Sequence, residues 1–452
     1  MQNPQKHIIN QLSVELSVTS EEEAFGLRKE LNEVLQNEIT AVIDELCSNY
    51  SNAEDTLRIE RLEIDLGKIS KDNFKKNWIE NFKQSFENQL YKANISTTNS
   101  SVKINNEQSN FDILTTFLKT GQLDWWVVSE DIDLNEIFEE IIQNQAHFLK
   151  EFLIKNAQNL QIAQRISFQF LGKNISLFLK NIQINIYEYD VVFQAISKKI
   201  NDENLQELVL ENQEEFYLKT IFTALFKNRF QSITEEQIAL NFVQIIKEEI
   251  NLSSEKVLAI LQNISPNYKE KHEDKNVVNE DLVGNFPNKI TLQNAGIVLI
   301  SPYFKHFFQE LQLIENQIFI SKKSQYKAIH LIKYLATGKT EFDEFDLTLE
   351  KLICGISLDE PVPRKVEFLE HEISEADELL KSVIEHWQVL KNSSSDALRN
   401  TFFQREGILQ KNEFGWQINI ERKTQDILLD SIPWGFSMIV PSWNNYIIAV
   451  EW

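Results

Sequence analysis

The stretch Asn294-Ala295-Gly296-Ile297-Val298-Leu299-Ile300-Ser301-Pro302-Tyr303 opens the region that decides the fold of this chain. Beyond it, apolar residues at helical spacing predict helices over about 296–311, 322–337, 348–354, 374–390 and 395–405. A hairpin is predicted at 407–420, with its turn around 412–415, and short strands at 436–440 and 446–452. Residues 290–452 are therefore predicted to form a helical domain that ends in a small antiparallel sheet.

The amino terminus has the pattern of a β-α-β module. Leu12, Val14, Leu16 and Val18 alternate with polar residues, as in a half-buried strand. A helical pattern follows over 27–46, and a second strand is predicted at 57–66, with a bulge where its apolar phase slips. Two short strands cannot bury themselves alone. Residues 1–93 are thus expected to pack on the next helix, at about 72–91, or on another surface.

The middle of the chain is predicted to be helical between two linkers. Residues 94–110 are rich in Asn and Ser and lack periodicity, and residues 265–289 are charged and unpatterned. Between them, residues 111–264 contain short apolar helical patterns without a fixed period. Both an irregular helical bundle and an α-solenoid fit this pattern. The scarcity of glycine (11) and proline (8) also favours helix, so the expected fold class is α+β, predominantly α-helical.

The composition of the chain indicates which partners and which cellular compartment to expect. The net charge of −23 would repel a phosphate backbone, so nucleic acid is not an expected partner. The polar first residues lack a signal-peptide pattern, and no stretch approaches the roughly 20 apolar residues of a membrane span. These features predict a cytoplasmic chain. Cys47 and Cys354 are expected to be reduced thiols in apolar surroundings.

A search for catalytic chemistry predicts none. Gly338-Lys339-Thr340 resembles the end of a phosphate-binding loop, but Lys333 stands where the first glycine of such a loop belongs. Gly338 is better explained as a helix C-cap. The histidines lack zinc-binding spacing, and acidic pairs such as Asp343-Glu344 are interpreted as solvated surface. The chain is therefore expected to have no catalytic, cofactor or metal site and not to be an enzyme.

Several aromatic and small residues instead suggest packing or protein binding. Gly121 can end a helix in the left-handed conformation, and two indoles follow it four and five positions later. Tryptophans serve both as core residues and as interface anchors, and the sequence leaves both roles open. The candidate packing or interface residues are Trp125, Trp126, Asn294, Gly296, Trp387, Trp434, Trp443 and Trp452.

Ordered motifs along the chain resemble the contractile injection system tape measure protein family, whose members belong to phage-tail-like particles. The resemblance is strongest over 290–452, clear over 7–67 and weak over 130–285. The family usually has proline at the position of Asp124. The motifs are Arg61-Leu62-Glu63-Ile64-Asp65-Leu66-Gly67, Phe117 to Trp126, Asn294 to Leu299, His330 to Gly338, Leu352 to Pro361, His386-Trp387, Phe403-Gln404-Arg405-Glu406-Gly407, Pro433-Trp434-Gly435 and Val450-Glu451-Trp452.

The resemblance implies a role in particle assembly, by setting or ending tube and sheath length. Implied partners are the inner tube, the baseplate hub, and the AAA-type ATPase or cap. Such a chain would be cytoplasmic during assembly and would end inside the particle. Two mechanisms remain open: a ruler whose central helices extend along the tube, and a compact adaptor, cap or chaperone that binds tube, hub or baseplate subunits through a strand edge.

Overall fold

The computed structural model forms two compact units, Met1–Ile113 and Leu114–Trp452. The boundary falls near the end of the predicted linker 94–110. The predicted linker at 265–289 lies almost wholly outside the described residues. Described are residues 7–18, 21–49, 55–69, 74–95, 101–129, 132–199, 213–250, 255–256, 259–260, 262, 289–413, 415–444 and 446–452.

The first unit is built on three helical segments. Helix α1 (Glu21–Val34) continues through a π-helical turn, Leu35–Ile39, into α2 (Thr40–Ser48), and α3 (Phe74–Ile95) packs against them. Aromatic rings one turn apart line α3: Trp78 stacks on Phe82 at 5.5 Å between ring centroids, and Phe82 stacks on Phe86 at 5.3 Å. These rings form a core with Val34, Ile39 and Ile43. Aromatic packing between helices therefore holds this unit together.

The strands of the first unit differ from the predicted β-α-β module. Strand β1 (Asp55–Ile59) pairs antiparallel with β2 (Ser101–Asn105), which lies within the predicted linker 94–110. Val102 and Ile104 are the alternating apolar residues of β2, too few to stand out in a polar run. Residues 12–18, predicted as the first strand, are not a strand, and Leu12, Val14 and Leu16 are exposed. No neighbouring strand covers them in the described part of the chain, so the expected half-buried face does not form.

The second predicted strand is also shorter than expected. It ends at Ile59, and Glu60 is a bend, which is where the apolar phase slips. Beyond the bend, Leu62, Ile64 and Leu66 are partly buried against the helical core, whereas the residues between them are exposed. The period-two pattern therefore marks an extended segment that lies on helices instead of a paired strand.

The second unit begins with a set of irregular helices. Residues within them pack through phenylalanine rings, such as Phe193 against Phe242 at 5.4 Å and Phe138 against Phe170 at 4.2 Å. Helix α6 contacts α9, and α5 contacts α7, so contacts skip neighbours in the chain. Neighbours in the chain also pack together, as α9 does with α10, so the irregular bundle and the solenoid both stay predictions. The helices are α4 (Asn106–Thr120), α5 (Leu134–Lys155), α6 (Leu160–Gln169), α7 (Gly172–Asn181), α8 (Asp190–Lys199), α9 (Gln213–Lys227) and α10 (Glu235–Ile250).

The helices of the carboxy-terminal part surround a long buried helix. Helix α12 (Lys322–Thr337) starts where the Ser321 hydroxyl accepts a hydrogen bond from Ser324 N at 3.0 Å, and it ends at Gly338, whose φ is +74°. Its bounds and the glycine C-cap are as predicted. The other helices are α11 (Phe304–Glu310), α13 (Thr348–Ile353), α14 (Glu370–His386) and α15 (Ser395–Leu398), the last continued by a π turn over Arg399–Phe403.

The motif Asn294 to Tyr303 is not the α-helix that was predicted over 296–311. Ala295–Tyr303 is a 3-10 helix, and α11 begins only at Phe304. Pro302 lies inside it and cannot donate a backbone hydrogen bond. Residues 295–300 are all buried, so this part of the helix has no amphipathic face, whereas Pro302 near its end is exposed.

The carboxy-terminal sheet has five strands in the order β3-β6-β7-β9-β8. Pairing is antiparallel except for β7 and β9, which run parallel with Trp416 opposite Ile448. The sheet is therefore mixed and not purely antiparallel as predicted. The chain crosses from β7 to the far edge to make β8, and β9 then returns between them. The strands are β3 (Lys289–Leu292), β6 (Gly407–Asn412), β7 (Gly415–Ile420), β8 (Met438–Ile439) and β9 (Ile448–Glu451); β4 (Ile314–Glu315) and β5 (Ile318–Phe319) form a separate pair.

Candidate functional site

The turn after α4 is shaped by a glycine that touches a buried carboxylate. Gly121 has φ +72°, and its N–H donates to the Phe117 carbonyl at 2.7 Å. A Cβ at this position would lie 2.3 Å from Glu344 Oε1 and 3.0 Å from an Arg165 guanidinium nitrogen. Both the backbone conformation and the lack of space therefore require glycine here.

The carboxylate beside Gly121 is held by two cations. Arg165 Nε donates to Glu344 Oε2 at 2.8 Å, and Arg165 Nη2 donates to Oε1 at 3.1 Å. Lys351 Nζ donates to the same Oε1 at 3.0 Å. All three side chains are fully buried. The pair Asp343-Glu344 was expected to be solvated surface, and this is wrong for Glu344, because ionic partners on two other segments allow its carboxylate to be buried.

Backbone carbonyls accept further hydrogen bonds from both cations. Arg165 Nη1 donates to the Leu118 carbonyl at 2.6 Å and Nη2 to the Asp359 carbonyl at 2.5 Å, whereas Lys351 Nζ donates to the Leu358 carbonyl at 2.6 Å. Three segments thus meet at Arg165: the end of α4, helix α6, and residues 344–359. We call Gly121, Arg165, Glu344 and Lys351 the Arg165 joint.

Further polar contacts tie α6 and the α4 turn to the carboxy-terminal part. Gln169 Nε2 donates to the Val362 carbonyl at 2.6 Å, and Gln169 Oε1 accepts from Glu344 N at 3.1 Å. Thr348 Oγ1 donates to Gln122 Oε1 at 3.0 Å. The motif around Gly121 and the motif at 352–361, which are far apart in sequence, therefore meet at the Arg165 joint.

Burial changes the protonation of groups in and beside the joint. It lowers the pKa of Lys351, although the nearby Glu344 carboxylate opposes this shift. It raises the pKa of the Glu350 carboxyl, against the attraction of Lys333, whose Nζ lies 3.6 Å away. Burial also lowers the pKa of His330 to about 4, and its Nε2 lies 2.8 Å from the Pro363 carbonyl. The charges of the joint are paired within the fold, an arrangement suited to holding segments together.

A second convergence joins Gly296 and Trp452 to residues 402–405. Ala295 N donates to the Arg405 carbonyl at 2.9 Å, and Asn294 before it is buried. A Cβ on Gly296 would lie 1.7 Å from the Phe402 carbonyl oxygen and 3.0 Å from Trp452 Cη2. The Trp452 indole donates to Asp426 at 2.9 Å. The motifs at 294–299, 403–407 and 450–452 therefore pack directly on one another.

The other candidate tryptophans lie at separate places. Trp387 is buried and donates to Ser431 Oγ at 2.9 Å, Trp434 donates to the Leu299 carbonyl at 2.8 Å, and Trp443 donates to the Ile353 carbonyl at 2.9 Å. Trp125 is 47 % exposed, and Trp126 is half-buried. The indoles of the carboxy-terminal part thus bond inside the fold, and an interface role for these residues stays a prediction.

Sequence reasoning missed Arg165, Glu344 and Lys351. Arg165 and Glu344 are 179 positions apart, and single charged residues on helices are usually solvated. The available signal was Gly121, which ends a helix shortly before two indoles. A glycine at such a place indicates that another segment approaches the backbone closely. Among the described residues, no group of three or more His, Cys, Asp or Glu is placed to hold a metal ion. Cys47 and Cys354 are free thiols, as predicted.

Comparisons with known proteins identify the family. The described helices include none that is long and apolar enough to cross a membrane. No curated protein and no solved structure matches the chain. A family model described as contractile injection system tape measure protein matches residues 6–452, which includes both the Arg165 joint and the packed carboxy-terminal motifs. The chain therefore belongs to the contractile injection system tape measure protein family.

Proposed function

We propose that this chain sets the length of the tube and sheath during assembly of a contractile injection particle. The observation that supports this most is the extent of the family match, which runs through the central helices from residue 6 to residue 452. The implied partners are the inner tube, the baseplate hub, and the AAA-type ATPase or cap. The chain would act in the cytoplasm during assembly and end inside the particle.

A ruler requires a state that is much longer than the folded units. As one α-helix, 452 residues would span roughly 680 Å at about 1.5 Å per residue. A compact chain of this size has a radius of gyration of only about 22 Å. The central helices α5–α10 provide the segment that could extend, because they are helical already and lie between the first unit and the carboxy-terminal sheet in sequence. The two ends of the chain would then serve as anchors.

A deletion within the central helices tests the ruler. Removing residues 172–201, which contain α7 and α8, takes away 30 residues. If the particle length follows the extended helix, the tubes should be shorter by about 45 Å in electron micrographs. The matched control replaces the same 30 residues with Glu-Ala-Ala-Ala-Lys repeats, which keep the residue number and the helix but remove the native side chains. Tubes of wild-type length from the deletion would contradict the ruler.

An adaptor role is the second candidate, and the sheet edge favours it. Strand β8 lies at the edge of the sheet. Met438 in this strand and Val440 just after it are 62 % and 61 % exposed. An extended segment of a tube or hub subunit would add to this edge by backbone hydrogen bonds. Met438→Lys with Val440→Lys should then abolish capture of purified tube or hub subunits. Ile427→Lys is the control, since Ile427 is equally apolar and 74 % exposed but lies in the 3-10 helix Thr424–Ser431.

A further inference from the structure

The Arg165 joint connects two parts of the second unit that are distant in sequence. On one side lie α6 and the end of α4, and on the other lie residues 344–364. Besides the ionic contacts, Arg364 N donates to the Phe168 carbonyl at 3.1 Å, and Gln161 Nε2 donates to Asp359 Oδ2 at 3.4 Å. The contacts across the joint are therefore dominated by hydrogen bonds and charges.

Aromatic contacts across the joint meet at ring edges. Phe117 meets Phe345 at 6.2 Å with the rings nearly perpendicular, and Phe168 meets Tyr326 in the same way at 6.0 Å. The carboxy-terminal part, by contrast, has a large apolar core of its own, in which Ile329, Leu331 and Leu380 are fully buried. The contacts across the joint are thus more polar than the interior of the carboxy-terminal part.

Stability alone does not account for charges at this place. Buried ion pairs recover little more than the cost of removing their charges from water, and apolar replacements of similar volume are often equally or more stable. When an ionic joint opens, its charged groups regain their hydration, whereas an apolar joint of the same size would expose surface that water disfavours. A buried ionic joint therefore combines one specific closed geometry with parts that tolerate water once they separate.

We infer that the Arg165 joint is a reversible latch that holds the central helices closed on the carboxy-terminal part before they extend. This inference rests on the proposed ruler function, because only a ruler needs the central helices to leave the compact unit. Breaking the Arg165–Glu344 contact, together with the hydrogen bonds of Arg165, Phe168 and Gln169 to residues 344–364, would release α6, while Lys351 remains beside Glu344 within the carboxy-terminal part. That part keeps its own core when the latch opens.

Hydrogen exchange on the isolated wild-type chain tests the latch without any particle. We expect the amides of α6 to exchange at least tenfold faster than the amides of α12. Helix α12 lies in the core of the carboxy-terminal part, where α10 also packs against it. If α6 exchanges less than tenfold faster than α12, the central helices leave only when the unit unfolds, and the latch is overturned.

An apolar joint gives the second arm of the test. The triple variant Arg165→Met, Glu344→Leu, Lys351→Met should slow exchange of α6 at least tenfold relative to wild type, because opening now exposes apolar surface. The control Lys333→Met with Glu350→Leu replaces another buried ion pair, but one inside the carboxy-terminal part, and should leave α6 exchange unchanged.

Unslowed α6 exchange in a folded triple variant would overturn the latch. If the triple variant does not fold, the wild-type comparison of α6 with α12 decides alone. The length measurement on deletion particles tests the ruler separately. If α6 exchanges as expected but the deletion leaves tube length unchanged, the ruler is refuted, whereas the opening of the Arg165 joint is not.

Discussion

At the scale of single residues, Gly121 is where the sequence most clearly requires one amino acid. Its positive φ and the 2.3 Å approach to Glu344 both exclude a Cβ. Gly121→Ala should lower the free energy of unfolding by about 2–4 kcal/mol, because the strain of a left-handed alanine adds to displacement of a buried ion pair. Urea unfolding followed by circular dichroism measures this.

Gly435→Ala is the matched control for Gly121→Ala. Gly435 has no positive φ, and a Cβ there would meet nothing within 4 Å. Its substitution should change the free energy of unfolding by less than about 0.5 kcal/mol. An equal effect of the two substitutions would show that Gly121 is not constrained by the joint.

Arg165 should be the most sensitive residue of the joint. Arg165→Met removes both hydrogen bonds to Glu344 and leaves that buried carboxylate with Lys351 alone. We expect a loss of about 3–5 kcal/mol in the free energy of unfolding, from thermal or urea melts. Lys381→Met, which breaks an exposed pair with Glu378, should leave the free energy of unfolding almost unchanged, because water screens this pair. Equal costs would contradict a buried ionic joint.

His330 makes the second unit sensitive to acid. Its pKa falls from 6.5 to about 4 on folding because the ring is buried. Between these values the unfolded chain binds a proton that the folded chain does not, so stability is lost as pH falls from 6.5 to 4. The loss has an upper limit of about 3 kcal/mol. His330→Gln, which retains a donor for the Pro363 carbonyl, should remove this part of the pH dependence.

Comparing the pH dependence of the free energy of unfolding between the wild-type protein and His330→Gln isolates the contribution of His330. Burial raises the pKa of Asp343 to about 6, and this carboxyl contributes with the opposite sign, since its stabilisation is lost as pH rises from 3.8 to 6. Both proteins contain Asp343, so the difference between their urea-unfolding free energies cancels it. A difference that stays constant from pH 7 to pH 4 would contradict the burial of a neutral His330.

At the scale of elements, the strand nearest the carboxy terminus lies inside the sheet and not at its edge. Strand β9 lies between β7 and β8, and Ile448 and Val450 are buried. Deleting residues 446–452 should therefore unfold the carboxy-terminal sheet, seen as loss of the near-ultraviolet circular dichroism of its tryptophans. Met438→Lys on the edge strand should leave that signal unchanged. A native signal from the deletion would instead favour a terminus free to bind a partner.

The elements that the sequence predicted well have strong local signals. Helix α12 has a serine N-cap and a glycine C-cap, and the hairpin β6–β7 has its turn between Asn412 and Gly415, close to the predicted positions. Elements that depend on distant partners were predicted poorly. Strand β2 exists because it pairs with β1, and the parallel β7–β9 pair depends on a chain crossing that no local pattern records.

The candidate site was predictable only in part, for the same reason. Gly296 and Trp452 were singled out in sequence, and they approach each other closely in the fold. Glu344 was misassigned to the surface, because burial of a carboxylate depends on Arg165 and Lys351 reaching it in three dimensions. Single-sequence patterns report local periodicity, whereas ion pairing across 179 residues is a property of the assembled unit.

At the scale of the whole molecule, the chain combines a compact second unit with a proposed extended state. The central helices are packed through phenylalanine rings and closed by the Arg165 joint, so extension must exchange these contacts for contacts with the particle. The proposed length-setting function therefore depends on whether the number of residues in the central region determines particle length.

Particle length measured over a series of insertions tests this most directly. Insertions of about 15, 30 and 45 residues of Glu-Ala-Ala-Ala-Lys repeats would be placed between α10 and β3, within residues 265–288, where they interrupt no described element. If the chain is a ruler, the tubes should lengthen in proportion, by about 1.5 Å per inserted residue in cryo-electron micrographs. Tubes of constant length across the series would contradict it.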